Sequence, residues 1–170
     1  IRRNKTATSN MDSSTDDMIL TDDLIKKITS EDGRKVDFHG LEYDDPDELN
    51  PDELKDHHVM DVLTNHVNAD LVTTIHLTEW SGITNDTLIQ ISNMCPQLEA
   101  LYVDYCNITD DGIVAIAEKC GQQLKRFSYT ACEKCTDAAL ESIVNNCNQL
   151  EVLDAANCGI STIPENIGYK

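Results

Sequence analysis

Cysteine is the residue type in this chain best placed to do chemistry, and the seven cysteines are spaced regularly. Cys106, Cys132 and Cys158 recur every 26 residues, and Cys95, Cys120 and Cys147 form a second column at that interval to within a residue. Cys132 and Cys135 make a CxxC, which is half a zinc site or a redox pair. A zinc site needs a second pair of ligands, and the nearest histidine in sequence is His76. With one residue inserted, the two cysteines fall in the columns of Cys106 and Ile108, so packing accounts for them, and no metal or cofactor is expected. An odd count is awkward for a disulfide framework. Free cysteine is a small buried hydrophobe that suits a reducing compartment, cytoplasmic or nuclear, and a thiol pointing into a turn can be offered to a nearby carbonyl.

Two other constellations invite a catalytic or metal reading and fail on geometry. Asp37, His76, Tyr102, Ser128 and Asp154 share one outward strand column. Strands about 4.8 Å apart put Ser128 two steps, about 10 Å, from His76, whereas a nucleophile and its base need about 3 Å. Asp110, Asp111 and Gly112 suggest calcium, but an EF-hand loop needs alternating Asp or Asn, a central Gly and a distal Glu, and that pattern is missing. Thr84, Thr109 and Thr136 each fall where a helix should begin. Asp86, Asp110, Asp111 and Asp137 are therefore expected as first-turn acids that favour the helix dipole. The expectation is a protein without a catalytic site.

The elements that must position these residues follow from the same period. Leu98, Leu124 and Leu150 keep the 26-residue interval, as do Leu101, Phe127 and Leu153. Within one unit Leu98, Leu101 and Val103 follow a strand pattern, while Ile113, Ile116 and Ala117 have helical spacing. A period in this range means a solenoid, because no single strand-plus-helix unit can bury its own apolar face. The expected fold is an α/β right-handed solenoid of four to five units, with parallel strands inside the curve and helices outside. Residues 72–170 carry the repeats. The last unit, from Leu150, reads STIPENIG in place of the Thr-Asp helix start, which leaves Ile160, Ile163 and Ile167 at an open edge.

Residues 1–20 are rich in Ser, Thr, Asn and Asp and are expected to be disordered. Residues 21–71 form a capping region. Thr21 and the acids after it predict a helix from Asp22 to about Ile28, and VDF a short strand. Val36 and Phe38 hold the places of Leu101 and Val103, so a degenerate first repeat begins there, interrupted by an acidic insertion. Nine acids and one Lys lie between Glu42 and Asp61, with the near-duplicates DPDEL and NPDEL. The second phrase and the apolar spacing after it predict a helix from Pro51 to about His66.

The formal charge is −18, and no Lys or Arg occurs between Lys55 and Lys119. Such a surface repels phosphate backbones and anionic lipid, so neither nucleic acid nor membrane is an expected partner. No apolar run approaches the roughly 20 residues of a membrane span.

The pattern CxxLxxLxVxxCxxITDxGIxxIAxxC over residues 95–120 resembles the cysteine-containing class of leucine-rich repeat, as found in F-box leucine-rich-repeat proteins and the antagonist-of-mitotic-exit-network family. The resemblance spans residues 72–160. IPENIG is similar to a different repeat class, in which a Pro-containing turn replaces the helix start. The resemblance implies non-catalytic protein recognition, as a substrate adaptor or regulator in ubiquitin ligation with the ligase scaffold as a partner. An F-box, built on a Leu-Pro start and a later Trp, is not found before the repeats.

On such a solenoid the binding candidates are the side chains that alternate with the core positions of the strands. These are Thr74, His76, Thr78 and Glu79 in one unit, Tyr102, Asp104 and Tyr105 in the next, then Arg126, Ser128 and Thr130. Aromatics and Arg, the residue types that anchor interfaces, lie here on adjacent strands. The alternative is an assembly role, in which the open C-terminal end docks on further repeats or another subunit.

Overall fold

The computed structural model describes residues 20–39 and 54–164. Residues 1–19 of the segment expected to be disordered, the DPDEL phrase, residues 50–53 of the NPDEL phrase and Ile167 lie outside the described residues, whereas Leu20, the last residue of that segment, is buried in the core. The elements alternate: α1 (Asp22–Ile28), β1 (Lys35–Asp37), α2 (Asp56–Asp61), β2 (Thr74–His76), α3 (Asn85–Met94), β3 (Ala100–Tyr102), α4 (Asp110–Cys120), β4 (Arg126–Ser128), α5 (Asp137–Asn146) and β5 (Val152–Asp154). The five strands form one parallel sheet in chain order, β1-β2-β3-β4-β5. Helices α2 to α5 pack side by side in the same order. The chain is thus an α/β protein of repeat-like build. No helix among the described residues is long and apolar enough to cross a membrane.

Register converts the sequence period into a layered core. Val36, Ile75, Leu101, Phe127 and Leu153 align as partners across the sheet, and all but the half-buried Leu153 are at most 1% exposed. Phe38, Leu77, Val103 and Tyr129 form the next buried row. Tyr129 is the odd member, because its hydroxyl is buried with no hydrogen-bond partner among the described residues. Leu88, Ile91, Ile113, Ile116, Leu140 and Ile143 close the layer from the helix side. At the first edge α1 supplies Leu24, Ile25 and Ile28, and Thr29 bridges back to Val36.

Two ladders of polar bonds tie each unit to the next. The thiol of Cys106 donates to Leu77 O at 3.1 Å, that of Cys132 to Val103 O at 3.3 Å and that of Cys158 to Tyr129 O at 3.2 Å. The second ladder joins helix starts. Asp110 accepts from Thr136 N at 2.6 Å and Oγ1 at 2.8 Å, and Asp56 accepts from Thr84 N and Oγ1 at 2.9 and 2.7 Å. Asn85 accepts from Thr109 N at 2.9 Å and returns its amide to Thr109 Oγ1 at 2.8 Å. The expected dipole acids Asp110 and Asp137 therefore also act as crossbars between units. Asp86 and Asp111 sit in first turns without such a bond.

The expected helix start at Pro51 lies outside the described residues; Leu54 and Lys55 are not helical, and the helix runs from Asp56 with Lys55 extended at its cap. Leu54 is fully buried and Lys55 bridges Gly82, so the chain here runs flat against a turn before the helix starts. Gly82 makes the approach possible, since a Cβ there would lie 2.2 Å from Leu54 O. The helix then widens into a looser turn over Val62–His66, closed by Val67 N to Val62 O at 3.2 Å. In the last unit Thr162 donates from N and Oγ1 to Asp137, both at 3.0 Å, as Thr136 does to Asp110. STIPENIG thus keeps the threonine of the helix-start column although no helix follows within the described residues.

Asp110→Ala should cost about 1–2 kcal/mol, because it strands the Thr136 amide and hydroxyl at a helix start. Asp111→Ala, one residue on, should be within about 0.5 kcal/mol of the parent; urea denaturation of both variants checks the difference.

Candidate functional site

The short strands present three columns of side chains on the sheet face. The first column holds Lys35, Thr74, Ala100, Arg126 and Val152, and the second holds Asp37, His76, Tyr102, Ser128 and Asp154. Two residues beyond each strand's end come His39, Thr78, Asp104 and Thr130. Of the ten candidate residues, Thr74, His76, Thr78, Tyr102, Asp104, Arg126, Ser128 and Thr130 fall in these columns, and Glu79 and Tyr105 do not. They divide into groups with different work.

Near the first edge the face is aromatic. The rings of His39 and His76 stack with centroids 4.6 Å apart and planes 5° from parallel. Tyr102 continues the row, 4.8 Å from His76 at a 42° tilt. Asp37 holds Lys35 at 2.6 Å and His76 Nδ1 at 3.6 Å. Burial pushes the His76 pKa down, and this outweighs the opposing pull of the Asp37 and Asp104 carboxylates; His39 and Lys35 add to the depression. For Asp37 burial works upward, but the Lys35 ammonium, His76 and the His39 N–H prevail and hold the carboxyl below its usual range. His39 escapes the sequence reading because it stands beyond a three-residue strand; its signal is its offset from Thr78, which equals that of Asp37 from His76.

Farther along, Asp104 is the hub of a hydroxyl network. It accepts from Thr78 Oγ1 at 3.3 Å, from Thr130 N at 2.7 Å and from the Ser128 hydroxyl. Thr130 Oγ1 donates in turn to Asp154 at 2.8 Å. Thr78 is buried, while Thr74, Ser128 and Thr130 are half-buried. Arg126 is exposed and lies 3.9 Å from Glu151.

Glu79 and Tyr105 occupy a third setting, the turn after each strand. Glu79, Tyr105, Ala131 and Asn157 all have positive φ, between 55° and 71°, at intervals of 26 residues. A residue with a Cβ pays about 1 kcal/mol in this conformation. The sheet ladder holds it there, with Glu79 N donating to Asp104 O at 2.8 Å and Tyr105 N to Thr130 O at 2.9 Å. Tyr105 is left 57% exposed and lines an open groove of about 220 Å³ with Ser81, Asn107, Ala131, Glu133 and Lys134.

The serine and histidine of the second column are not brought together. Ser128 on β4 and His76 on β2 have Tyr102 between them, so no triad forms. No group of three or more His, Cys, Asp or Glu among the described residues is arranged to hold a metal ion. All seven cysteines are free, and six are buried. Burial pushes the Cys95 thiol up to about 12 and those of Cys120 and Cys147 up to about 11. Within the CxxC the hydrogen bond between the thiols lowers Cys132 and raises Cys135.

Fold and face together define an α/β protein with one parallel five-stranded sheet, whose open side carries an aromatic row and a carboxylate-hydroxyl network. No protein-family model matches the chain.

A neutral, half-buried His76 binds fewer protons in the folded than in the unfolded chain. Its contribution to stability is complete above its ordinary pKa of 6.5 and is lost as pH falls toward the depressed folded value. Stability measured by urea denaturation should therefore drop from pH 7.5 to pH 5, and His76→Gln should flatten that slope.

Proposed function

We propose that the chain is a leucine-rich-repeat solenoid of five units that recognises a protein partner, without catalysis, through its exposed sheet face. The reading rests on the alignment of Lys35, Thr74 and Arg126, then Asp37, His76, Tyr102 and Ser128, in columns across one parallel sheet. Rigid elements of this kind hold side chains in fixed relation, as recognition of one partner requires. The resemblance of residues 95–120 to the cysteine-containing repeat class supports a role as substrate adaptor or regulator in ubiquitin ligation. In Tyr102→Ala with Arg126→Ala, partner capture should be lost while the thermal midpoint stays within a few degrees of the parent. Capture retained by that double variant would exclude this face.

A second reading is assembly through the far edge of the sheet, and a specific asymmetry favours it. The first edge is covered by α1, whereas beyond β5 the described residues place no strand. Leu150, Leu153, Cys158 and Ile160 are only half-buried there, and Val152 and Ile163 are 51% and 73% exposed. Under this reading the mass from light scattering rises with concentration, and Ile163→Asp suppresses the rise; a constant mass leaves the first reading alone.

A further inference from the structure

The stretch of the face around Ser128 is shaped and charged for one particular side chain. In the second column Ser128 is flanked by Tyr102 on β3 and Asp154 on β5. A small residue thus stands between a ring and a carboxylate, with the Asp104 network along its border. Two strand steps separate Tyr102 from Asp154, about 10 Å. A cation stacked within about 6 Å of a ring centroid and paired within about 4 Å of a carboxylate oxygen fills that span.

The charges are left open in the same place. Three cations on or beside the face are already paired: Lys35 with Asp37 at 2.6 Å, Lys125 with Glu99 at 2.9 Å and Arg126 with Glu151 at 3.9 Å. Asp104 and Asp154, by contrast, meet only hydroxyl and N–H donors and no cation among the described residues. Both Asp154 bonds end on Oδ1, which leaves Oδ2 to a newcomer.

We infer that this seat receives the guanidinium of an arginine presented by a segment of the partner protein, stacked beside Tyr102 and paired with Asp154 above Ser128. The inference rests on the reading of the face as a partner site and names the partner's chemistry. Arginine fits better than lysine because a planar, weakly hydrated cation stacks on a ring while its fork meets a carboxylate. The formal charge of −18 draws such a segment in from solution.

The test uses the full chain, labelled for amide NMR, and a short capped peptide with one arginine between glycine and serine. Matched peptides carry lysine, or citrulline, the neutral isostere. The arginine peptide should shift the amides of Ser128, Thr130 and Asp154, lysine less and citrulline least. Tyr102→Leu and Asp154→Asn should each weaken it roughly threefold or more, and Asp111→Asn, which removes the same charge from the start of α4, should not. Equal shifts from citrulline would overturn the arginine assignment while leaving a peptide-binding face. Weakening by Asp111→Asn as large as by Asp154→Asn would reduce the effect to bulk charge and overturn the seat. Shifts that leave these amides untouched would overturn the seat without touching partner capture, which the Tyr102 and Arg126 double variant decides on its own.

Discussion

The fold depends on how one strand-plus-helix unit grips the next at the start of its helix. Each helix opens with an extended cap residue, and the first helical residue of Asp or Asn type reaches across to the cap of the following unit. Asp56 reaches Thr84, Asn85 reaches Thr109, Asp110 reaches Thr136 and Asp137 reaches Thr162. Each of these side chains accepts the backbone N–H left over at the next unit's cap; the three aspartates also accept the threonine hydroxyl, whereas Asn85 donates its amide to it. Burial of the leucine and isoleucine rows supplies most of the stabilisation, but apolar contact alone tolerates sliding. These directional bonds, with the thiol ladder on the strand side, hold the register that puts the face columns in line.

Much of this was legible from the residues. The period of the leucines gave strand and helix for each unit, and the Val36 and Phe38 equivalence placed β1 beside β2 across a 39-residue gap. Cys106, Cys132 and Cys158 gave away their thiol-carbonyl bonds, since a sulfur recurring at a turn has few other uses. What stayed hidden were relations between units rather than within them. Asp110 at the first turn of a helix looks like a dipole acid, and only the stacked arrangement shows that its carboxylate serves the next helix. The recurring Thr-Asp and Thr-Asn pairs were the available signal. At α2 the helical pattern read onward from Pro51 does not hold at Leu54 and Lys55 for a related reason: Leu54 is claimed by the core and Lys55 by the bridge to Gly82, so tertiary packing overrides local preference at these two residues.

The face shows the same division. Side chains that read as free binding groups from alternation alone are in part spent on the protein itself, with Asp104 satisfied by Thr78, Ser128 and Thr130. Such internal use fixes the carboxylate in place, and a fixed charge selects among ligands more sharply than one on a swinging side chain. The aromatic row of His39, His76 and Tyr102 is similarly pre-arranged, since its rings already lie against one another.

The identity of strand order and chain order has a kinetic side. Each strand pairs with the next in the chain, 39 positions on between β1 and β2 and 26 between β2 and β3, β3 and β4, and β4 and β5. Loop-closure entropy grows only with the logarithm of the loop, so these pairings meet similar modest barriers, however many units precede them. Lengthening such a chain lowers its relative contact order instead of raising it. A parallel sheet, ordinarily slow to assemble, is here built from pairings of short and similar sequence separation.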